Sequence, residues 1–195
     1  MLPLVLDIGG VEPTNLLPSH GYVPVDTVNV VDPHGYKPTY ATNALDLKGV
    51  PQGKYDAVRV SHLLEHIPFF YLRRALVAWM NVLKPGGTLH IIGPDVEASI
   101  LRVQKDPNNE GHYAELCSSM FGKPDWLSKF LGLEEFGDPM VHKAVIIEAH
   151  IRALLLTCGF KAVTRESYHP WHWDYAIGYP IGVPVDVMYL VAVKG

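Results

Sequence analysis

Residues Tyr55–Pro68 read YDAVRVSHLLEHIP, and two structures compete for them. His62, Glu65 and His66 have the H-x-x-E-H spacing that sets two metal-binding histidines around a general base when all three share a helix. The residues before them, YDAVRVSH, are rich in Val and alternate with period two, which is strand patterning. Downstream, Pro85-Gly86-Gly87 is a turn that leads into another apolar run, TLHIIGPD (Thr88 to Asp95). A strand ending at His62 makes the two histidines straddle a strand-to-helix junction rather than sit one helical turn apart. Glu148 is the nominal third ligand of the metal reading, but the flanking strands decide against it. No metal is therefore expected, and Glu65 with His66 is read first as a hydrogen-bonded pair fixing the turn.

Working outward, short apolar runs alternate with amphipathic segments. Strands are expected at Leu4–Ile8, Asp26–Asp32, Tyr40–Leu47, Tyr55–His62, Thr88–Asp95, Ala162–Tyr168 and Val187–Lys194. Several are continuous apolar runs, as befits strands covered on both faces. Between Tyr71 and Leu83 the apolar residues Leu72, Ala75, Leu76, Trp79, Met80 and Leu83 recur at helical spacing. Val96–Lys105 and Val141–Cys158 are further helices, the latter stopped by Gly159. Strands alternating with helices imply an α/β domain with a mostly parallel sheet, and the last strand returns antiparallel. The chain reads as one domain over 1–195, with 106–140 as an excursion and 168–186 as a lid.

The bulk numbers fit that reading. The chain has 195 residues, 48% hydrophobic and 18% charged, with a net charge of −4. That suits a globular domain with a full core and gives no global basic field. Nucleic acid is disfavoured as a partner, since Arg73-Arg74 is the only basic pair of note. Cys117 and Cys158 are too few for a disulfide framework and read as reduced thiols. No basic leader precedes the first apolar run and no run is long enough to span a membrane, so the expected setting is the cytoplasm.

In a parallel sheet, ligands sit beyond the carboxyl ends of the strands. Those ends carry Asp7-Ile8-Gly9-Gly10, Asp32, Asp46-Leu47 and Ser61-His62 in order. An acidic residue ending the second strand suits ribose hydroxyls, and a carboxylate ending the third can accept from an exocyclic amine.

The run LVLDIGG…VNVVDPH…ATNALDL…YDAVRVSHLLEHIP…VLKPGGTLHIIGPD resembles the class I S-adenosylmethionine-dependent methyltransferases, specifically the small type 11 group. The resemblance is dense over the first half of the chain. It implies a Rossmann-like three-layer sandwich with a seven-stranded sheet of order 3-2-1-4-5-7-6 and strand 7 antiparallel. It further implies S-adenosylmethionine as cofactor. Asp7, Gly9 and Gly10 would lie near its methionine part, Asp32 at the ribose, Asp46 and Leu47 at adenine, and Ser61 and His62 near the sulfonium. The expected G-x-G-x-G loop is here GGVEPTN, so a catalytically degenerate binding protein is the alternative to a methyltransferase.

For the acceptor, a small molecule or a glycan-type compound, the sequence offers Asp95, His142, His169, Trp171 and Trp173. The aromatic segment that holds the last three would form a lid or a homodimer contact. His62 and His66 are the candidate catalytic bases, because histidine titrates near neutrality. His90, in mid-strand, reads as a core residue.

Overall fold

The computed structural model describes residues 3–9, 25–29, 38–122, 141–166 and 187–195. They form the α/β Rossmann-like fold with a mixed sheet. The strands are β1 (Val5–Ile8), β2 (Val25–Asn29), β3 (Tyr40–Ala41), β4 (Tyr55–Ser61), β5 (Leu83–Pro94), β6 (Phe160–Arg165) and β7 (Val187–Lys194). They lie in the order β3-β2-β1-β4-β5-β7-β6, parallel from β3 to β5, with β7 antiparallel to both its neighbours. The helices are α1 (Leu72–Val82), α2 (Val96–Lys105), α3 (Glu110–Phe121) and α4 (Glu148–Cys158).

The central strands are apolar toward both faces, which is why they are buried: Leu6, Ile8, Val58, Val60, Leu89 and Ile91 are sealed from solvent. Helix α1 buries Leu72, Ala75, Leu76 and Trp79, the stripe read from its spacing. Helix α4 ends at Gly159, whose φ of 110° is the left-handed conformation a C′ residue needs.

Four boundaries differ from the sequence reading, each for a physical reason. The strand expected over Tyr40–Leu47 is only Tyr40–Ala41. Asn43 takes over the chain: its carbonyl accepts from Asp46 and Leu47 amides, and its side chain accepts from the Leu45 amide. A short polar side chain bonding its own backbone competes with the ladder. The helix expected from Val141 begins at Glu148, because the amides of Lys143 and Ala144 both donate to the Glu65 carbonyl, at 2.7 and 3.0 Å. Strand β5 starts at Leu83: Tyr55 pairs with Leu83 and Ala57 with Thr88, so Lys84–Gly87 bulge out of the ladder. Finally, the 106–140 excursion contains the helix α3, capped by the Asn109 side chain accepting from the His112 amide. It has no apolar stripe to betray it, since Tyr113 and Phe121 are exposed and only Ser119 is buried.

Candidate functional site

Strand order reverses between β1 and β4, and in sheets of this kind the ligand crevice lies beyond the carboxyl ends of the strands at that point. Val5–Ile8 run in parallel register with Ala57–Val60, so the two strands finish side by side. Each is followed by a residue in the left-handed region: Gly9 at φ 85° and His62 at φ 47°. Gly9 meets that demand without strain, and a Cβ there would come within 3.3 Å of Leu63 Cδ2. His62 adopts it despite its side chain, held by its amide donating to the Ile92 carbonyl at 2.9 Å. A non-glycine residue there is strained, and the chain turns at it from β4 into the next segment.

Asp7 lies one layer beneath. It is 1% exposed, and both carboxylate oxygens accept from Arg59 Nη1, at 3.0 and 3.1 Å. Asp7 and Arg59 are register partners on neighbouring strands, so the pair stitches β1 to β4 inside the sheet. Arg59 was not singled out from the sequence, although a lone arginine in a buried strand already demands an acidic partner.

Asp46 and Leu47 follow β3. The Asp46 carboxylate accepts from Arg74 of α1 at 3.1 Å, in a shallow pocket of about 200 Å³ that Leu47, Val77 and Asn81 help to line. Asp46 is thereby tied to α1. Asp95 is likewise engaged: it caps α2 by accepting from the Ala98 amide at 3.0 Å and pairs with Arg165. Arg165 also holds Glu148, which pairs with Arg152 as well, so Glu148 is no part of a cluster with His62 and His66. His90 is buried between Tyr189 and Thr88, at 2.6 and 2.8 Å, as a core residue. Gly10, Asp32, His169, Trp171 and Trp173, and with them the lid, lie outside the described residues.

What the structure does bring together is His62, Glu65, His66 and His142. After β4 the chain makes one 3-10 turn over Leu64–His66. This turn buries Glu65 to 1% exposure and places His62 Nδ1 3.3 Å from Glu65 Oε1. Burial is the largest single influence and raises the Glu65 carboxyl, but the bond and charge of His62, a backbone hydrogen bond and the charge of His66 together outweigh it, so the group titrates below the ordinary glutamate range. His66 is pushed down by burial, with Glu65 opposing and His142 adding to the shift. It is thus held as neutral imidazole at pH 7. The His142 ring stands edge-on to that of His66, centroids 5.0 Å apart. His142 is fixed by the end of α3: its amide donates to the Phe121 carbonyl and its ring Nδ1 to the Ser119 carbonyl, at 3.1 and 2.9 Å. The partnership of Glu65 with His142 spans distant parts of the sequence, and no local signal announces it.

Comparison with known proteins agrees with the fold. A family model described as "Methyltransferase domain" matches residues 23–91. No curated protein sequence matches the chain. Among solved structures, a SAM-dependent methyltransferase from Archaeoglobus fulgidus superposes with a TM-score of 0.60 at 16% identity, over 99% of this chain and 86% of that one. The 1,6-didemethyltoxoflavin-N1-methyltransferase of Burkholderia thailandensis gives 0.58 at 13% identity, over 99% and 71%. Human N-acetylserotonin methyltransferase gives 0.55 at 14%, over 99% of this chain and 48% of its own. The family match and the shared fold bear out the resemblance read from the sequence: over residues 23–91 the chain is similar to the methyltransferase domain family, and its fold is that of the S-adenosylmethionine-dependent methyltransferases it superposes on.

Proposed function

We propose that the protein is a methyltransferase that binds S-adenosylmethionine in the crevice beyond β1 and β4 and methylates a small-molecule acceptor. The observation that supports this most is the pair of adjacent strand ends at Gly9 and His62, both left-handed, at the point where strand order reverses. Gly9 and Gly10 let the backbone approach the cofactor, Asp32 holds the ribose, and Ser61 and His62 stand near the sulfonium. Asp7 supports the floor through Arg59. Leu47 contributes apolar packing near the adenine end, whereas Asp46 is committed to Arg74. Small-molecule acceptors are named for two of the similar structures, a didemethyltoxoflavin and N-acetylserotonin, and an acceptor of that size suits a crevice closed by an aromatic lid at His169, Trp171 and Trp173.

Methyl transfer is an in-line displacement at the sulfonium methyl, and most of the protein's task is to align the acceptor. His62 is the base of this reading. Glu65 stands 3.3 Å from its Nδ1 and orients the ring for taking a proton from the acceptor. His66 and His142 stand together beside Glu65.

Calorimetry with S-adenosylhomocysteine tests the reading. Binding that Asp32→Ala weakens about 10-fold, a loss of ~1.4 kcal/mol, supports it. No heat at millimolar ligand with folded protein removes it and leaves the degenerate binding protein, which the GGVEPTN loop favours.

A further inference from the structure

Glu65, His66 and His142 carry a feature that the methyl-transfer reading does not use. One ligand-type atom from each of the three lies within 4.8 Å of the others. Glu65 Oε2 is buried and has no hydrogen-bond partner among the described residues, since His62 faces the other oxygen. Buried His66 Nδ1 also has no hydrogen-bond partner there. The Ser119 carbonyl holds the proton of His142 on Nδ1, which leaves Nε2 as that ring's lone-pair nitrogen. One donor atom from each of the three residues thus shares one small space. A buried acceptor left without a partner costs on the order of 1–3 kcal/mol, more when charged, and a cation removes that cost for Glu65 Oε2 and His66 Nδ1 together.

We propose that Glu65, His66 and His142 bind a divalent transition-metal ion. Two imidazoles and one carboxylate suit borderline ions such as Zn²⁺ or Co²⁺ and leave coordination positions open. The supports are those of a built site. A hydrogen bond from the far ring nitrogen to a backbone carbonyl orients ligand histidines and makes them more basic, as Ser119 does for His142. The Glu65 carbonyl receives the Lys143 and Ala144 amides, so the segment carrying His142 is tied to the turn carrying the other two ligands. Gly93 leaves Oε2 uncrowded, since even an added Cβ would stop at 3.6 Å. This is not the helical H-x-x-E-H arrangement: His62 stands beside the carboxylate, outside the ligand set.

The test uses the full chain, freed of any affinity tag and stripped with a chelator. Titration with Co²⁺, followed by its visible absorption, and with Zn²⁺, followed by calorimetry, is expected to show one equivalent per chain. Glu65→Gln and His142→Ala are each expected to weaken that uptake about 100-fold or more, while His112→Ala leaves it unchanged. Circular dichroism identifies variants that fold. If neither folds, competition by the histidine reagent diethyl pyrocarbonate decides: Zn²⁺ must protect His66 and His142 in the parent protein. No uptake at 100 μM metal, about 100 times a micromolar Kd, uptake retained in both variants, or absence of protection overturns the proposal. S-adenosylhomocysteine binding measured in parallel separates the two readings, because either ligand can fail without the other.

Discussion

Asp7 and Arg59 face each other across two neighbouring parallel strands, their charged ends 3.0 Å apart and both about 2% exposed. An ion pair this deep survives because each partner removes the other's desolvation cost, not because the pair is strongly favourable in itself. Asp7→Ala is therefore expected to lower stability by about 3–5 kcal/mol, since it strands a buried guanidinium. Asp7→Leu combined with Arg59→Met should recover most of that loss. Urea unfolding of the single and double variants measures both, and equal midpoints for the two would contradict the account.

Gly9 stands where β1 hands over to the crevice, at φ 85°. Gly9→Ala is expected to cost about 1–2 kcal/mol from backbone strain, with an added contact against Leu63. Leu63→Ala in the same chain should relieve only the contact. Complete rescue by that second change would show the conformation itself to be undemanding.

Trp79 is fully buried, and its indole N–H donates to the Ala44 carbonyl at 2.8 Å, pinning the turn that replaces the expected third strand. Trp79→Phe loses that bond and some volume, so a loss of about 2 kcal/mol is expected. Amide exchange at Leu45 and Leu47 should quicken in step. Unchanged exchange would mean that the turn stands without its anchor.

Glu148 joins α4 to β6 through Arg165, and to its own helix through Arg152, both at 2.6 Å. Burial raises its carboxyl, but the two guanidinium groups outweigh that and hold it below the ordinary value of 4.5. A group depressed in the folded state contributes stability that is complete above its unfolded value and disappears as pH falls through the folded one. Glu148→Gln should therefore cost about 1 kcal/mol near neutrality and flatten the acid loss of stability between about pH 5 and pH 3. Urea midpoints across that range check it, and parallel curves would refute it.

The sequence was most readable where the physics is local. The apolar runs of β1 and β4, the α1 stripe and the Gly159 stop are each set by neighbours within a turn or a strand. Legibility failed where distant partners decide. Asn43 and Trp79 together cut β3 short, and the Glu65 carbonyl keeps Lys143 and Ala144 out of a helix. Among candidate site residues, the strand-end reading set Gly9 and His62 side by side, as the β1–β4 register does. They could not show that Arg74 claims Asp46 or that Arg165 claims Asp95, because those arginines come from other elements.

The bond from the His142 amide to the Phe121 carbonyl has one more consequence. It joins the end of α3 to the segment that leads into α4, and so makes residues 121 and 142 the two ends of one closed loop of sequence. Loop-closure cost grows by only about 0.6 kcal/mol for each doubling of length, so the anchor on the His142 imidazole is expected to be insensitive to how much sequence lies between those two positions.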